Sequence, residues 1–188
     1  MERQFIFRHC DLAVGAESFD LEVTPTNFSI NKPLQAVWSS SLIEFINQLP
    51  VTGWSQWCKA EDYCDIEEAK VFELKFKEEP KLIVVKTNKD LVELNDKGLL
   101  SIDTEYYRYG SPVKRGVINY KAILDKGYDG IRVTENAIVE SKVLHLIDVL
   151  PSSIYVDFSA WDCESTCWVT NRCFKEYKYL GIYSDLVD

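Results

Sequence analysis

The sequence predicts one α+β domain, built from many strands and a few short helices that do not alternate as regular βαβ repeats. Three observations predict it. Short apolar segments with two-residue alternation recur along the chain, the mark of half-buried strands. The length of 188 residues fits one domain, since single domains run to roughly 100–200 residues. No glycine- or proline-rich linker, internal repeat or low-complexity run divides it. The hydrophobic share of 46% is ordinary for a globular chain. A chain of this size buries about 70% of its unfolded surface, so its core needs neither disulfides nor a metal.

Gln4 to Cys10, apolar and aromatic, reads as a strand. Leu21 to Pro33 carries turn residues at Pro25, Asn27, Asn31 and Pro33 and reads as an extended loop. Leu34 to Ser39 is a second strand. From Ser40 to Leu49, the spacing of Leu42, Ile43, Phe45, Ile46 and Leu49 predicts a short amphipathic helix capped by one of Ser39, Ser40 and Ser41. Trp54 to Glu68 reads as a helix whose indoles at Trp54 and Trp57 share one face. Ala69 to Phe76 alternates as a half-buried strand, and Lys81 to Lys86 is a more deeply buried one. Thr87 and Asn88 precede a capped helix from Asp90 to Leu94. The stretch from Gly98 to Gly116, with Tyr106, Tyr107 and Tyr109, reads as a loop. A helix follows from Ile118 to Lys126, ended by Gly127, and then a turn into a strand from Tyr128 to Val133. Val143 to Leu150 fits either period and stops at Pro151. Ile154 to Phe158 is a strand. Trp161 to Phe174 is another with a turn near Ser165, and Glu176 to Asp188 closes the chain as a last strand.

The formal charge of −9, from 30 acidic and 21 basic residues, argues against general binding of nucleic acid or anionic membrane, which need a basic face. It leaves room for a small local anion pocket, or for an acidic surface that is itself functional. No apolar run approaches the roughly 18 residues that span a bilayer. The opening residues place charges inside what would be a signal peptide's apolar stretch. The expectation is a protein of the cytoplasm, the host's cytoplasm if the chain is viral. Six cysteines, at positions 10, 58, 64, 163, 167 and 173, are then free thiols. Two other readings stay open: a zinc site seeded by Cys163-x₃-Cys167, and three disulfides.

The sequence holds no G-x-G-x-x-G, P-loop, H-E-x-x-H or G-x-S-x-G. With only His9 and His145, a multi-histidine metal centre is impossible, and no metal ligand set is assigned. The order of three other features resembles the mono-ADP-ribosyltransferases: Phe5-Ile-Phe-Arg8-His9 on an early strand, Ala36-Val-Trp38-Ser39-Ser40-Ser41 on a later one, and a late glutamate. The chain also resembles a group of phage and bacterial proteins with Lys-Pro-x₃-Trp-x-Ser (Lys32 to Ser40), Trp-x-x-Trp-Cys (Trp54 to Cys58), Tyr-Asp-Gly-Ile (Tyr128 to Ile131) and Trp-Asp-Cys (Trp161 to Cys163). The first resemblance implies a split antiparallel β-sandwich with short flanking helices. It also implies NAD as substrate and a protein acceptor, which for a phage product is a host protein. The alternative is a non-catalytic, acidic, phage-type accessory protein that binds and inhibits a host protein.

Under that resemblance Arg8, His9, Trp38, Ser39, Ser40 and Tyr107 would hold the dinucleotide, and Glu164, Glu140 or Glu135 would be the catalytic carboxylate. The chemistry has a physical basis. An arginine fork suits a pyrophosphate, a serine hydroxyl suits a ribose, and an aromatic face suits the nicotinamide ring. A carboxylate stabilises the oxocarbenium-like charge that develops as the glycosidic bond breaks. Each residue also has a structural reading: Arg8 in a surface ion pair, the serines as a helix cap, the tyrosines and tryptophans as packing. Arg8 and His9, being neighbours on a strand, face opposite sides. The Glu-x-Glu of arginine-modifying transferases is missing, and the three glutamates stay open.

Overall fold

Side-chain alternation along paired strands decides most of the architecture. The computed structural model describes residues 2–8, 31, 33, 36–87, 89–108, 111–143, 154–156, 158 and 160–187, with the side chains of 103–108, 111–113, 142, 143 and 155 outside the description. In chain order the strands and helices are β1 (Gln4–Arg8), β2 (Val37–Ile46), β3 (Leu49–Thr52), α1 (Gly53–Glu61), β4 (Lys70–Phe76), β5 (Leu82–Val85), α2 (Asp90–Asp96), β6 (Leu100–Arg108), β7 (Ser111–Ile118), α3 (Tyr120–Asp125), β8 (Gly130–Val133), α4 (Glu135–Val143), β9 (Ile154–Tyr155), β10 (Ser165–Trp168) and β11 (Phe174–Ile182). The result is mixed α+β and mostly sheet, with four α-helices and no closed barrel among the described residues.

The large sheet runs β11-β4-β1-β2-β10-β8-β5, with β3 hydrogen-bonded to the far half of β2, and a small sheet runs β6-β7-β9. Most pairs are antiparallel, but β5 pairs with β8 and β7 with β9 in parallel. The sheets are therefore mixed. Close approach of β8 and β10 requires Gly130, where a Cβ would meet the Cys167 carbonyl at 2.6 Å.

Two of the sequence expectations change. The segment from Ser40 to Leu49 is not a helix: it continues β2 and turns back into β3, with Asn47 at φ 55° in the turn. Long-range pairing with β3 overrides a spacing compatible with either period. The segment from Gly98 to Gly116 is not a loop but most of the β6–β7 hairpin. Glu140 lies on α4. The helix beginning near Trp54 is capped by Thr52, whose hydroxyl accepts from the Ser55 N–H while the Ser55 hydroxyl accepts from the Thr52 N–H, a reciprocal capping box. The extended loop of 21–33, apart from residues 31 and 33, and the ambiguous stretch from 144 to 150 lie outside the described residues.

Three apolar clusters result. One packs β5, β8 and β10 against the helices α2, α3 and α4 and the small sheet, centred on Ile131, Val133, Ile138, Phe158 and Trp161. A second packs Phe5, Leu49, Cys58 and Val71 beneath α1 and the C-terminal Tyr183 and Leu186. A third covers the opposite face of the sheet with Ile6, Val37, Phe72, Leu74 and Trp168. No described helix is long and apolar enough to cross a membrane.

Candidate functional site

The first two clusters leave an opening between them, over the centre of the large sheet. Phe5 and Phe7 of β1, Trp38 and Ser40 of β2, Trp54 of α1, and Trp161, Asp162 and Ser165 around the start of β10 line a cavity of about 210 Å³. Its walls are mostly aromatic. Trp38 meets Trp161 edge to face, centroids 4.7 Å apart. Trp161 is held by its Nε1–H donating to the Asn31 carbonyl at 2.9 Å. Asn31 is itself buried at φ 56°, its side chain accepting the Ile118 N–H and its carbonyl also accepting the Tyr120 hydroxyl.

A second, more open cavity of about 480 Å³ adjoins it, lined by Ser41, Trp57, Arg132, Glu135, Cys163 and Glu164 among others. Asp162 lines both. Ser40 is the hinge between them in chemical terms. Its hydroxyl reaches the Glu164 carbonyl at 3.1 Å and the Glu164 Oε2 at 3.2 Å, and accepts the Trp54 N–H at 3.3 Å.

The Glu164 carboxylate closes a chain of hydrogen bonds that crosses three strands. Trp168 Nε1–H donates to Ser39 Oγ at 2.8 Å, and Ser39 donates to Gln4 Oε1 at 2.7 Å. Gln4 Nε2–H then donates to Ser41 Oγ at 2.7 Å, and Ser41 donates to Glu164 Oε1 at 2.9 Å. Both hydroxyl donors point toward the anion, and polarised chains of this kind strengthen one another. The Ser41 N–H adds a bond to Oε2 at 3.1 Å. Arg132 Nε–H adds one to Oε1 at 2.6 Å, while its Nη atoms hold Glu2. Burial by itself would lower the Arg132 pKa. The hydrogen bond to Glu2 and the charges of Glu164 and Glu2 outweigh that, so the guanidinium is held above its ordinary value.

The register explains which predicted residues come together. Gln4 lies opposite Ser41 and Phe5 opposite Ser40, while Thr166, Cys167 and Trp168 lie opposite Ser39, Trp38 and Val37. Alternation then sends Trp38 and Ser40 to the cavity and the hydroxyls of Ser39 and Ser41 to the network beneath. Ser39 touches the cavity but spends its hydroxyl on Gln4 and Trp168. Glu164 and Glu135 both line the second cavity, and Glu135 Oε2 accepts the Glu164 N–H at 3.2 Å. Glu140 lines neither cavity and accepts instead from Asn136.

Arg8 stands away from both cavities. It follows Phe7 on β1, so its side chain leaves the sheet on the other face, on the side of Tyr177, and it lines neither cavity. Burial there lowers its pKa, partly offset by Tyr177. His9 and the side chain of Tyr107 lie outside the described residues. Sequence reasoning missed Gln4, Arg132 and Asp162. Only Arg132 carried a local signal, a charge inside the apolar strand Gly-Ile-Arg-Val. None of the five described cysteines is in a disulfide, and no group of three or more metal-ligating side chains gathers among the described residues.

Compared with protein-family models, with curated proteins and with solved structures, the chain finds no match in any of the three.

Proposed function

We propose that this chain binds NAD across the two adjoining cavities and transfers its ADP-ribose to a protein, acting on a scaffold of the ADP-ribosyltransferase type. The observation that carries the reading is the position of Glu164. Its carboxylate lines the open cavity, while Ser40, hydrogen-bonded to it, lines the aromatic one. A 210 Å³ cavity walled by indoles suits one flat ring such as nicotinamide. The 480 Å³ cavity falls in the range of about 300–1,000 Å³ usual for small-molecule sites and takes the rest of the dinucleotide. Arg132 replaces Arg8 as the guanidinium beside the site, and a pyrophosphate competes with Glu2 for its fork. In the reaction the bond from ribose to nicotinamide breaks, its electron pair leaving with the ring. Glu164 steadies the developing positive charge. The acceptor's nucleophilic atom then bonds to the sugar carbon and releases its proton to solvent.

Thermal melting with NAD tests the binding step. At a ligand concentration 100 times Kd the stabilisation is about 2.7 kcal/mol, a clear rise in Tm, and no shift at millimolar NAD sinks the reading. Glu164→Gln separates binding from chemistry: the Tm rise persists while release of nicotinamide stops.

One observation favours a second reading, a non-catalytic phage-type protein that docks on a host protein. Glu164 is already matched by four donors from Ser40, Ser41 and Arg132, and the β2–β3 hairpin exposes Ile43, Phe45 and Ile46. An NAD-induced Tm rise without nicotinamide release from the wild-type protein would leave binding without transfer.

A further inference from the structure

We propose that Cys58 and Cys64 are a redox modification site that closes reversibly to an intramolecular disulfide beside the aromatic cavity, with a low-molecular-weight disulfide such as oxidised glutathione as oxidant. The inference does not depend on the nucleotide reading.

The fold brings the two thiols together through the end of α1. The helix stops at Asp62, in the left-handed region at φ 49°, and the Tyr63 N–H returns to the Cys58 carbonyl at 3.2 Å. The chain folds back over the last helical turn, and Cys64 Sγ donates to Cys58 Sγ at 3.7 Å. A disulfide needs about 2.05 Å, so side-chain rotation has to bring the sulfurs closer by roughly 1.7 Å. Exposure divides the roles. Of the five described cysteines Cys64 alone is not buried, while Cys58 is 1% exposed. Burial, then the hydrogen bond with Cys64, keeps Cys58 protonated well above the ordinary thiol range, which suits a resolving rather than an attacking thiol.

The electrons balance in two exchanges. The Cys64 thiolate attacks one sulfur of the small disulfide, forming a mixed disulfide and expelling one small thiolate. Cys58 then gives up its proton to solvent and attacks Cys64 Sγ. This forms the internal bond, breaks the mixed one and expels the second small thiolate. Two protein thiols are oxidised and one small disulfide is reduced to two thiols.

The site is placed to be felt by both cavities. Trp57 and Tyr63 adjoin the two cysteines in sequence and pack on each other at 4.8 Å, and Trp54 stacks on Trp57 at 5.1 Å. Trp54 walls the aromatic cavity and Trp57 the open one. Oxidation at residues 58 and 64 therefore acts on this ring stack directly.

The test equilibrates the full chain in glutathione buffers of increasing oxidation, counts thiols after denaturation and maps the digest by mass spectrometry. Two of the six thiols disappear together, one peptide carries a Cys58–Cys64 crosslink lighter by two hydrogens, tryptophan emission changes with the same midpoint, and reductant reverses all three. Cys64→Ser removes the response and Cys163→Ser keeps it. The proposal is overturned by a stable mixed disulfide on Cys64, by a crosslink to any other cysteine, or by full retention of thiols in oxidised glutathione alone.

Discussion

The two faces of the central sheet, at the same three strands, solve opposite problems. On one face β1, β2 and β10 present Phe5, Phe7, Trp38, Ser40 and Ser165 to a cavity. On the other, the same strands present Gln4, Ser39, Ser41 and Trp168 to one another, with every named polar atom in the chain paired. Consecutive serines, identical in chemistry, thus take different parts: Ser40 borders open space, whereas Ser39 and Ser41 are tied into a buried relay. The lesson is that residue type says little about role here. The pleat decides it: one face carries the aromatic cavity, and the other carries the relay that ends on Glu164 at the open cavity.

The largest effect belongs to the closed face. Trp168 is fully buried, packs on Phe76 and Phe174 and starts the relay. Trp168→Ala costs about 3–5 kcal/mol, the usual range for deleting a buried large aromatic, read as a shift of the urea midpoint. Trp38→Ala on the open face costs less, about 1–2 kcal/mol, because part of that indole already borders the cavity. Equal losses at the two positions would erase the distinction between the faces.

The serines sharpen the comparison at smaller scale. Ser39→Ala strands the Trp168 N–H and the Gln4 Oε1 in the interior, a loss of about 1–3 kcal/mol. Ser40→Ala costs about 0.5–1.5 kcal/mol, since its partners border cavities that admit water. The binding effects run the other way: the NAD-dependent Tm rise falls with Ser40→Ala and survives Ser39→Ala. If Ser39→Ala is the variant that loses the rise, the cavity has been placed on the wrong face.

How far the sequence disclosed this site depends on distance along the chain. The alternation of Val71 to Phe76 and the apolar run of Leu82 to Val85 announced β4 and β5, because a strand's own pattern is local. Glu164 was visible as a carboxylate in a polar turn, and Trp38 and Ser40 as neighbours on a strand. The continuation of β2 was hidden because Leu42, Ile43, Phe45 and Ile46 satisfy helical spacing, and only the return of β3 selects the strand. Gln4 was invisible, and Arg132 showed only as a charge inside an apolar strand, for a related reason. Their partners lie 35, 37 and 32 positions away, and no local motif marks an amide or a guanidinium that acts through long-range pairing.

The smallest effect concerns a buried carboxylate, Glu73, which lies opposite Phe5 and so shares the cavity's side of the sheet. It is 2% exposed and is clamped by Arg3 at 2.5 Å and Lys75 at 2.7 Å. Burial alone would raise its pKa. The hydrogen bonds from Arg3 and Lys75, with their charges, outweigh burial and hold it below the ordinary glutamate value. The sign of the linkage follows. The unfolded chain binds a proton more readily than the folded one, so the stability from Glu73 is fully present above the unfolded pKa of about 4.3. It is lost as the pH falls through the lower folded value. Glu73→Gln should therefore flatten the acid limb of a Tm-against-pH curve below about pH 4.3. Above that pH the gap between the wild-type curve and that of the Glu73→Gln variant stays constant. A gap that instead grows from about pH 5 to 7 would mean that the carboxylate titrates well above its ordinary value, and that Arg3 and Lys75 do not hold it ionised.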